Sequence, residues 1–481
     1  MAEQTLKEKT AKGLFWGGIS NGVQQVLGVL IGIVLLKNLS PGDYGMVGML
    51  AIFTGIASTI QESGFTATLT NRPVFKAEDY NAVFWFNVFV GSGIYVILFF
   101  CAPLIAKFYN QPDLVLLSRV LFLSIVIGAL GIAHNAVLFR KLMVKERAKI
   151  DIFSTALAGV FGIYLAVRGY GYWALAIQTL VYSSLGTIFR WIFSPWHPTF
   201  TLNFTPVKEM FGFGFILLLS SFIAQVQSNI FSVLLGRFYT KTDVGYFAQG
   251  TKWSSMGATV INGMVMSVAQ PVFVLSNTDK ERLAQILRKI FRFVSFVICP
   301  CMLGLAFVFR EFISIINKSF LPCVPILQIY CIMSIVVPII LLYGQILIVY
   351  GKFKSYLFAN ILYAVSQIGV AFYTLKYGIY WMAFSIGVIT FVYVLVWHWL
   401  VAKMIPITII HVVKDSFPYF FVTLVVLLVT YFITLAITNL AILLVAKIFI
   451  AASLYILTMK ISNSVMFREA LLFLKNGHSS I

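Results

Sequence analysis

Residues 35–45 read Leu35-Leu36-Lys37-Asn38-Leu39-Ser40-Pro41-Gly42-Asp43-Tyr44-Gly45, and residues 235–245 read Leu235-Gly236-Arg237-Phe238-Tyr239-Thr240-Lys241-Thr242-Asp243-Val244-Gly245. Leu, a basic residue, Asp and Gly fall at the same four offsets in both. Outward from this core, Phe15, Ser20, Gln25, Val26 and Thr59 recur as Phe215, Ser220, Gln225, Val226 and Thr259, and Thr54 faces Ser254. Further on, Pro73-Val74-Phe75 recurs as Pro271-Val272-Phe273 with the offset slightly shortened. Self-similarity at a fixed period marks a repeated structural unit.

What is repeated is decided by composition. Of the 481 residues, 60% are hydrophobic and 11% charged, whereas a soluble domain carries about 25% charged residues. So few charges cannot cover a globular surface in water. Five cysteines, Cys101, Cys299, Cys301, Cys323 and Cys331, are too few and too apolar in setting for a disulfide scaffold or a zinc site. Segments of about 20 apolar residues, the length of a membrane-spanning helix, begin near Gly13, Tyr44, Ala82, Leu114, Ile150, Tyr172, Glu209, Val244, Ala284, Cys323, Ser355, Ile379, Ser416 and Leu440.

The expected fold is an all-α integral membrane protein of about 14 transmembrane helices. The repeat offset covers six spans, an even number, so the copies run in the same direction, as in parallel-repeat transporters. Two six-helix lobes around a central cavity follow, 1–193 and 208–403, joined by a loop at 194–207. Two extra helices occupy 404–460, and 461–481 is a cytoplasmic tail in which Ser464 to Lys475 reads as a short interfacial helix.

The net charge is +19, but the basic residues lie between apolar stretches rather than on one polar domain, which excludes nucleic-acid binding. Twenty-four of the 35 Lys and Arg fall on one side of the alternating topology and eight on the other, while Arg119, Lys252 and Lys447 lie inside spans. Basic loops are cytoplasmic, which places both termini in the cytoplasm of a cell whose inner membrane holds the protein.

Polar residues in a bilayer need a reason. In the first span Asn21 and Gln25 share a face, and in its repeat mate Ser221, Gln225, Ser228 and Asn229 do the same. The second span offers Thr54, Ser58, Gln61 and Glu62; the eighth offers Gln249, Lys252, Ser255 and Thr259. Matched polar faces in both copies imply a hydrated path. The candidate substrate-binding set is therefore Asn21, Gln25, Gln225, Asn229, Gln249, Lys252 and Arg119, with Lys37 and Arg237 at the outer rim and Glu62 as a coupling acid. Cations outnumber acids along this path, which favours an anionic substrate such as a phosphate or pyrophosphate. Lys447 has no evident role in the pattern.

The whole chain resembles the Wzx-type polysaccharide flippases of the MOP exporter superfamily, in particular the colanic-acid exporter kind. The resemblance rests on Lys12-Gly13-Leu14-Phe15-Trp16, Asp43-Tyr44-Gly45, Phe139-Arg140-Lys141-Leu142-Met143, Gly245-Tyr246-Phe247 followed by Lys252, and Pro322-Cys323-Val324-Pro325-Ile326-Leu327-Gln328. It implies an exporter that moves an undecaprenyl-pyrophosphate-linked oligosaccharide between leaflets by alternating access, with membrane lipids and polysaccharide polymerase machinery as partners and no cofactor. One alternative is a cation-coupled multidrug exporter of the same superfamily, which calls for an acid in its cavity. A polymerase or ligase is the other, but His134, His197, His398, His411 and His478 show no catalytic spacing, and no outward loop is long enough to carry a site.

Overall fold

The computed structural model describes residues 6–62, 77–276 and 279–476. Its elements are helical: α1 (Leu6–Asn38), α2 (Pro41–Glu62), α3 (Ala77–Tyr109), α4 (Leu114–Arg140), α5 (Val144–Val167), α6 (Tyr172–Phe193), α7 (Thr205–Phe238), α8 (Lys241–Leu275), α9 (Lys280–Ile316), α10 (Val324–Val349), α11 (Phe353–Thr374), α12 (Ile379–Ala402), α13 (Ile409–Thr434), α14 (Leu440–Ile461) and α15 (Val465–Asn476). The fourteen long helices match the expected all-α membrane fold. Among the described residues eleven are long and apolar enough to cross a membrane; α6, α7 and α8 are not among the eleven. Several begin earlier than the apolar windows, because a charged first turn such as Val144-Lys145-Glu146-Arg147 continues the same helix. The exposed faces carry Phe100, Leu104, Phe153, Val160, Phe421 and Phe449, an apolar surface that only lipid accommodates. The protein is multi-pass and membrane-embedded.

The first backbone N–H groups of a helix have no partner within it and call for a cap. At the start of α2, Asp43 Oδ2 accepts from the Ser40 hydroxyl (2.6 Å) and backbone N–H (2.8 Å). At the start of α8, Asp243 Oδ2 accepts in the same way from Thr240 (2.7 and 3.1 Å). The shared Asp of the repeat is thus a shared helix-start device. Asp279 caps α9, and Asn439 caps α14.

By packing, the chain divides into Met1–Gly245 and Tyr246–Ile481. In the first unit α3 lies on α4, α5 on α6 and α1, α4 on α6, and α7 on α2 and α3. This last contact carries the packing boundary beyond the repeat boundary. The loop after α6 is clasped to α3: Asn81 Oδ1 accepts from Thr199 N–H (2.8 Å), and Trp85 Nε1 donates to the Thr199 carbonyl (2.7 Å). The shared Gly also has a reason. A Cβ on Gly45 would overlap the carbonyl oxygen of Lys241, and a Cβ on Gly245 would overlap that of Pro41. The two helix starts therefore cross backbone to backbone, reciprocally, at repeat-related positions. The Pro73-Val74-Phe75 segment and the side chain of Glu62 lie outside the described residues.

In the second unit α9 packs on α10, α13 and α14, while α12 packs on α10 and α11. Ion pairs fasten the C-terminal helices to α9. Asp415 of α13 accepts from Arg288 Nε (2.7 Å) and lies 3.2 Å from Arg292 Nε. Lys447 of α14 donates to Glu311 Oε1 (2.7 Å), which supplies the role that the sequence pattern withheld. Lys289 and Glu469 (2.9 Å) tie α15 to α9 and leave Val465 and Leu472 exposed, as an interfacial helix requires.

Candidate functional site

Three side chains spaced one turn apart on α6 dock it onto α4. The Ser183 hydroxyl donates to the Ser124 carbonyl (3.2 Å), the Thr187 hydroxyl to that of Ile127 (2.9 Å), and Trp191 Nε1 to that of Leu130 (2.8 Å). Such bonds, with small residues between them, are how helices associate where no hydrophobic effect drives them together. Gly131 permits the approach, since a Cβ there would lie 3.0 Å from the Thr187 hydroxyl. On the other side of α4, Gln61 Nε2 of α2 donates to the Ile125 carbonyl (3.1 Å).

Between α2, α4, α5 and α6 this leaves a cavity of about 700 Å3. Thr54, Ser58, Gln61, Ser124, Asn135, Thr179 and Ser183 line it, and Arg147 and Arg190 stand at one end. Thr54 and Ser58 bond back to carbonyls of their own helix (3.1 and 2.9 Å), so these hydroxyls keep acceptor lone pairs for a guest. Arg190 Nη2 lies 3.9 Å from Asp151 Oδ1. Arg147 lies over the Phe139 ring, 5.0 Å from its centroid. Ile125, Ile132, Phe139 and Tyr182 also line it, so this is a half-open chamber of mixed apolar and hydroxyl-bearing walls with a cationic end.

The expected site residues are distributed as follows. On α1, Asn21 is exposed and Gln25 half-buried. On α7, Gln225 sits against Gly55 of α2, in space a Cβ there would fill, and Asn229 Nδ2 donates to the Gln225 carbonyl (3.0 Å). Gln225 is thus brought onto the helix that supplies Thr54 and Ser58. Lys37 is exposed, and Arg237 Nη1 donates to the Phe108 carbonyl (2.7 Å). Arg119 is half-buried against α3, its Nε 3.4 Å from the Phe99 carbonyl and its guanidinium over that ring. In the second unit Lys252 is exposed and forms no ion pair with a described residue. Gln249 is buried, its carbonyl accepting from Trp253 Nε1 (3.1 Å).

Sequence reasoning counted Arg147 and Arg190 only as loop charges that orient the chain. The signal that singles them out is Asp151, an acid set within Ile150-Asp151-Ile152-Phe153 and one turn after Arg147.

The chain is similar to several known proteins. The chain is 24% identical over 413 residues to the teichuronic acid biosynthesis protein TuaB of Bacillus subtilis (strain 168), covering 84% of each chain. It is 25% identical over 340 residues to the lipopolysaccharide biosynthesis protein WzxC of Escherichia coli (strain K12), covering 69% of this chain and 68% of that one. Among solved structures, the lipid II flippase MurJ in an inward closed conformation superposes with a TM-score of 0.75 at 17% identity, covering 95% of this chain and 99% of MurJ. The sequence profile of the polysaccharide biosynthesis protein family matches residues 34–325, more than half of the chain, and the protein belongs to that family.

Proposed function

We propose that this protein is a flippase rather than an enzyme: it carries an undecaprenyl-pyrophosphate-linked oligosaccharide across the cytoplasmic membrane, by alternating access of the two repeat-related lobes, for surface polysaccharide assembly. The observation that carries the reading is the half-open chamber, part hydroxyl- and amide-lined and cationic at one end, within a helical unit whose exposed faces are apolar. A charged, hydroxyl-rich headgroup crosses hydrocarbon only at a cost of several kcal/mol, and polar groups in the chamber's walls remove much of that cost. The named roles of TuaB and WzxC in polysaccharide biosynthesis support this reading, as does the succinoglycan biosynthesis transport protein ExoT of Rhizobium meliloti (strain 1021), 24% identical over 272 residues.

In this reading the lobes are 1–193 and 208–403, and 404–460 is an accessory pair. The termini lie on the cytoplasmic side with the majority of Lys and Arg. Lys252 meets the anionic headgroup from the second lobe, Lys37 and Arg237 form the outer rim, and polymerase machinery receives the product.

Deleting the gene is expected to accumulate the lipid-linked oligosaccharide on the inner leaflet, and the intact chain to clear it. Lys252→Ala is expected to lower export about tenfold, the weight of one charge-assisted contact, with normal membrane insertion. A deletion strain whose lipid-linked intermediates reach the outer leaflet as before would discard the flippase reading; unaltered export by Lys252→Ala would discard only that residue's role.

A further inference from the structure

We propose that Arg147 and Arg190 form a diphosphate-binding subsite at the end of the first unit's chamber, with Asp151 as a counter-ion that the incoming diphosphate displaces. This deepens the flippase reading and rests on it.

Arg147 and Asp151 stand one turn apart on α5 and share a face; Arg190 reaches the same acid from α6. Two cations thus attend one carboxylate. The contact between them is slack. Arg288–Asp415 and Lys447–Glu311, the pairs that hold helices together elsewhere in this protein, close to 2.7 Å, whereas Arg190–Asp151 stays at 3.9 Å with both side chains about a quarter to a third exposed (24% and 30%). Arg147 has no carboxylate within 4.0 Å among the described residues; its charge rests over the Phe139 ring, a contact that uses none of its N–H donors.

The surroundings are built for a guanidinium. Gly131 and Gly186 leave space on α4 and α6, where added Cβ atoms would lie 3.4 and 3.7 Å from Arg190 Nη1. On the α5 face, one turn beyond Asp151, the Ser154 hydroxyl is buried without a hydrogen-bond partner.

Charge decides the ligand class. A diphosphate diester carries one ionised oxygen on each phosphate, and two guanidinium groups match it only when Asp151 is no longer held between them. Guanidinium forks bind phosphate oxygens in bidentate fashion. With the phosphates at this end, a sugar attached to them extends along Ser58, Asn135 and Ser183, whose hydroxyl and amide groups pair with sugar hydroxyls. Asp151 occupies Arg190 in the empty chamber, releases it to the substrate, and reclaims it when the substrate leaves.

The test is calorimetric titration of inorganic pyrophosphate into the purified full chain in phosphatidylcholine nanodiscs. Arg147→Gln and Arg190→Gln are each expected to weaken binding about tenfold or more, Arg190→Lys to weaken it less, and Asp151→Asn to strengthen it. The double variant Arg190→Gln with Asp151→Asn removes the ion pair as a unit and keeps the fold free of an unpaired acid; it too should bind weakly. Farnesyl diphosphate should displace pyrophosphate, whereas phosphatidylglycerol added to the disc should not. Unchanged affinity in both arginine variants, weaker binding by Asp151→Asn, or displacement by phosphatidylglycerol instead of farnesyl diphosphate would overturn the subsite. Export of lipid-linked glycan by the unaltered chain, measured alongside, separates that result from failure of the flippase reading.

Discussion

Replacing Gly45 or Gly245 with alanine is expected to reduce export to near background and to lower the thermal midpoint of the purified protein. At both positions the added methyl meets a backbone carbonyl, Lys241 for Gly45 and Pro41 for Gly245. A side chain can rotate away from a new methyl, but a carbonyl at the start of a helix moves only with the helix. Overpacking of this kind costs about 1–3 kcal/mol when neighbours adjust and more when they cannot, and here the only adjustment is to move the starts of α2 and α8 apart. The capping of these starts by Asp43 and Asp243 fixes the same two turns. Gly93→Ala in α3 is the control: no atom lies within 4 Å of its Cβ position. There alanine should be neutral or stabilising by about 0.5–1 kcal/mol, through reduced freedom of the unfolded chain. Wild-type export and midpoint in Gly45→Ala and Gly245→Ala would show that the crossing is not needed.

Those two glycines also show how much the sequence disclosed. The matches at Asp43/Asp243 and Gly45/Gly245 were visible as letters, and each has a physical cause: one caps a helix, the other admits a backbone. Eleven of the long helices follow from apolar length alone, because lipid demands it of a span, whereas α6, α7 and α8 fall outside that group among the described residues. Helix ends were harder to read, since Lys145, Glu146 and Arg147 continue α5 past its apolar window. Hydropathy reports where the chain leaves hydrocarbon, not where the helix stops.

Of the chamber's lining, the sequence pattern named some residues and passed over others. Polar faces on the first, second, seventh and eighth spans pointed to a hydrated interior, and Thr54, Ser58 and Gln61 do line a chamber. Arg147 and Arg190 escaped notice because a basic residue near a span end has the same letter whether it faces headgroups or a cavity. Gln249 has the opposite character: it reads as a path residue, yet it is buried and bonded to Trp253 on its own helix. Spacing alone does not distinguish a polar group that lines a cavity, as Ser58 does, from one buried against its own helix.

Lys447 has its partner far out of sight in the sequence, 136 residues away on α9, and it yields the second large expected effect. Its side chain is 7% exposed and that of Glu311 is 12%, and its ammonium also lies 4.3 Å from the centroid of the Phe307 ring. Lys447→Met should destabilise the protein by about 3–5 kcal/mol, because it strands a buried carboxylate. Glu311 is poorly placed to tolerate this, since its Oε2 already lacks a hydrogen-bond partner. The double variant Lys447→Met with Glu311→Gln removes both charges and should recover most of the loss, since a buried pair adds little over well-packed neutral side chains. Lys289→Ala, which breaks the exposed pair with Glu469, should cost about 1 kcal/mol or less. Thermal unfolding of the four proteins in one detergent orders them. If Lys447→Met proved as stable as the double variant, Glu311 would have to find water or another partner at that depth, and the two C-terminal helices would owe their attachment to packing, to Asp415 and to the Tyr455 hydroxyl, which donates to the Phe296 carbonyl (2.8 Å).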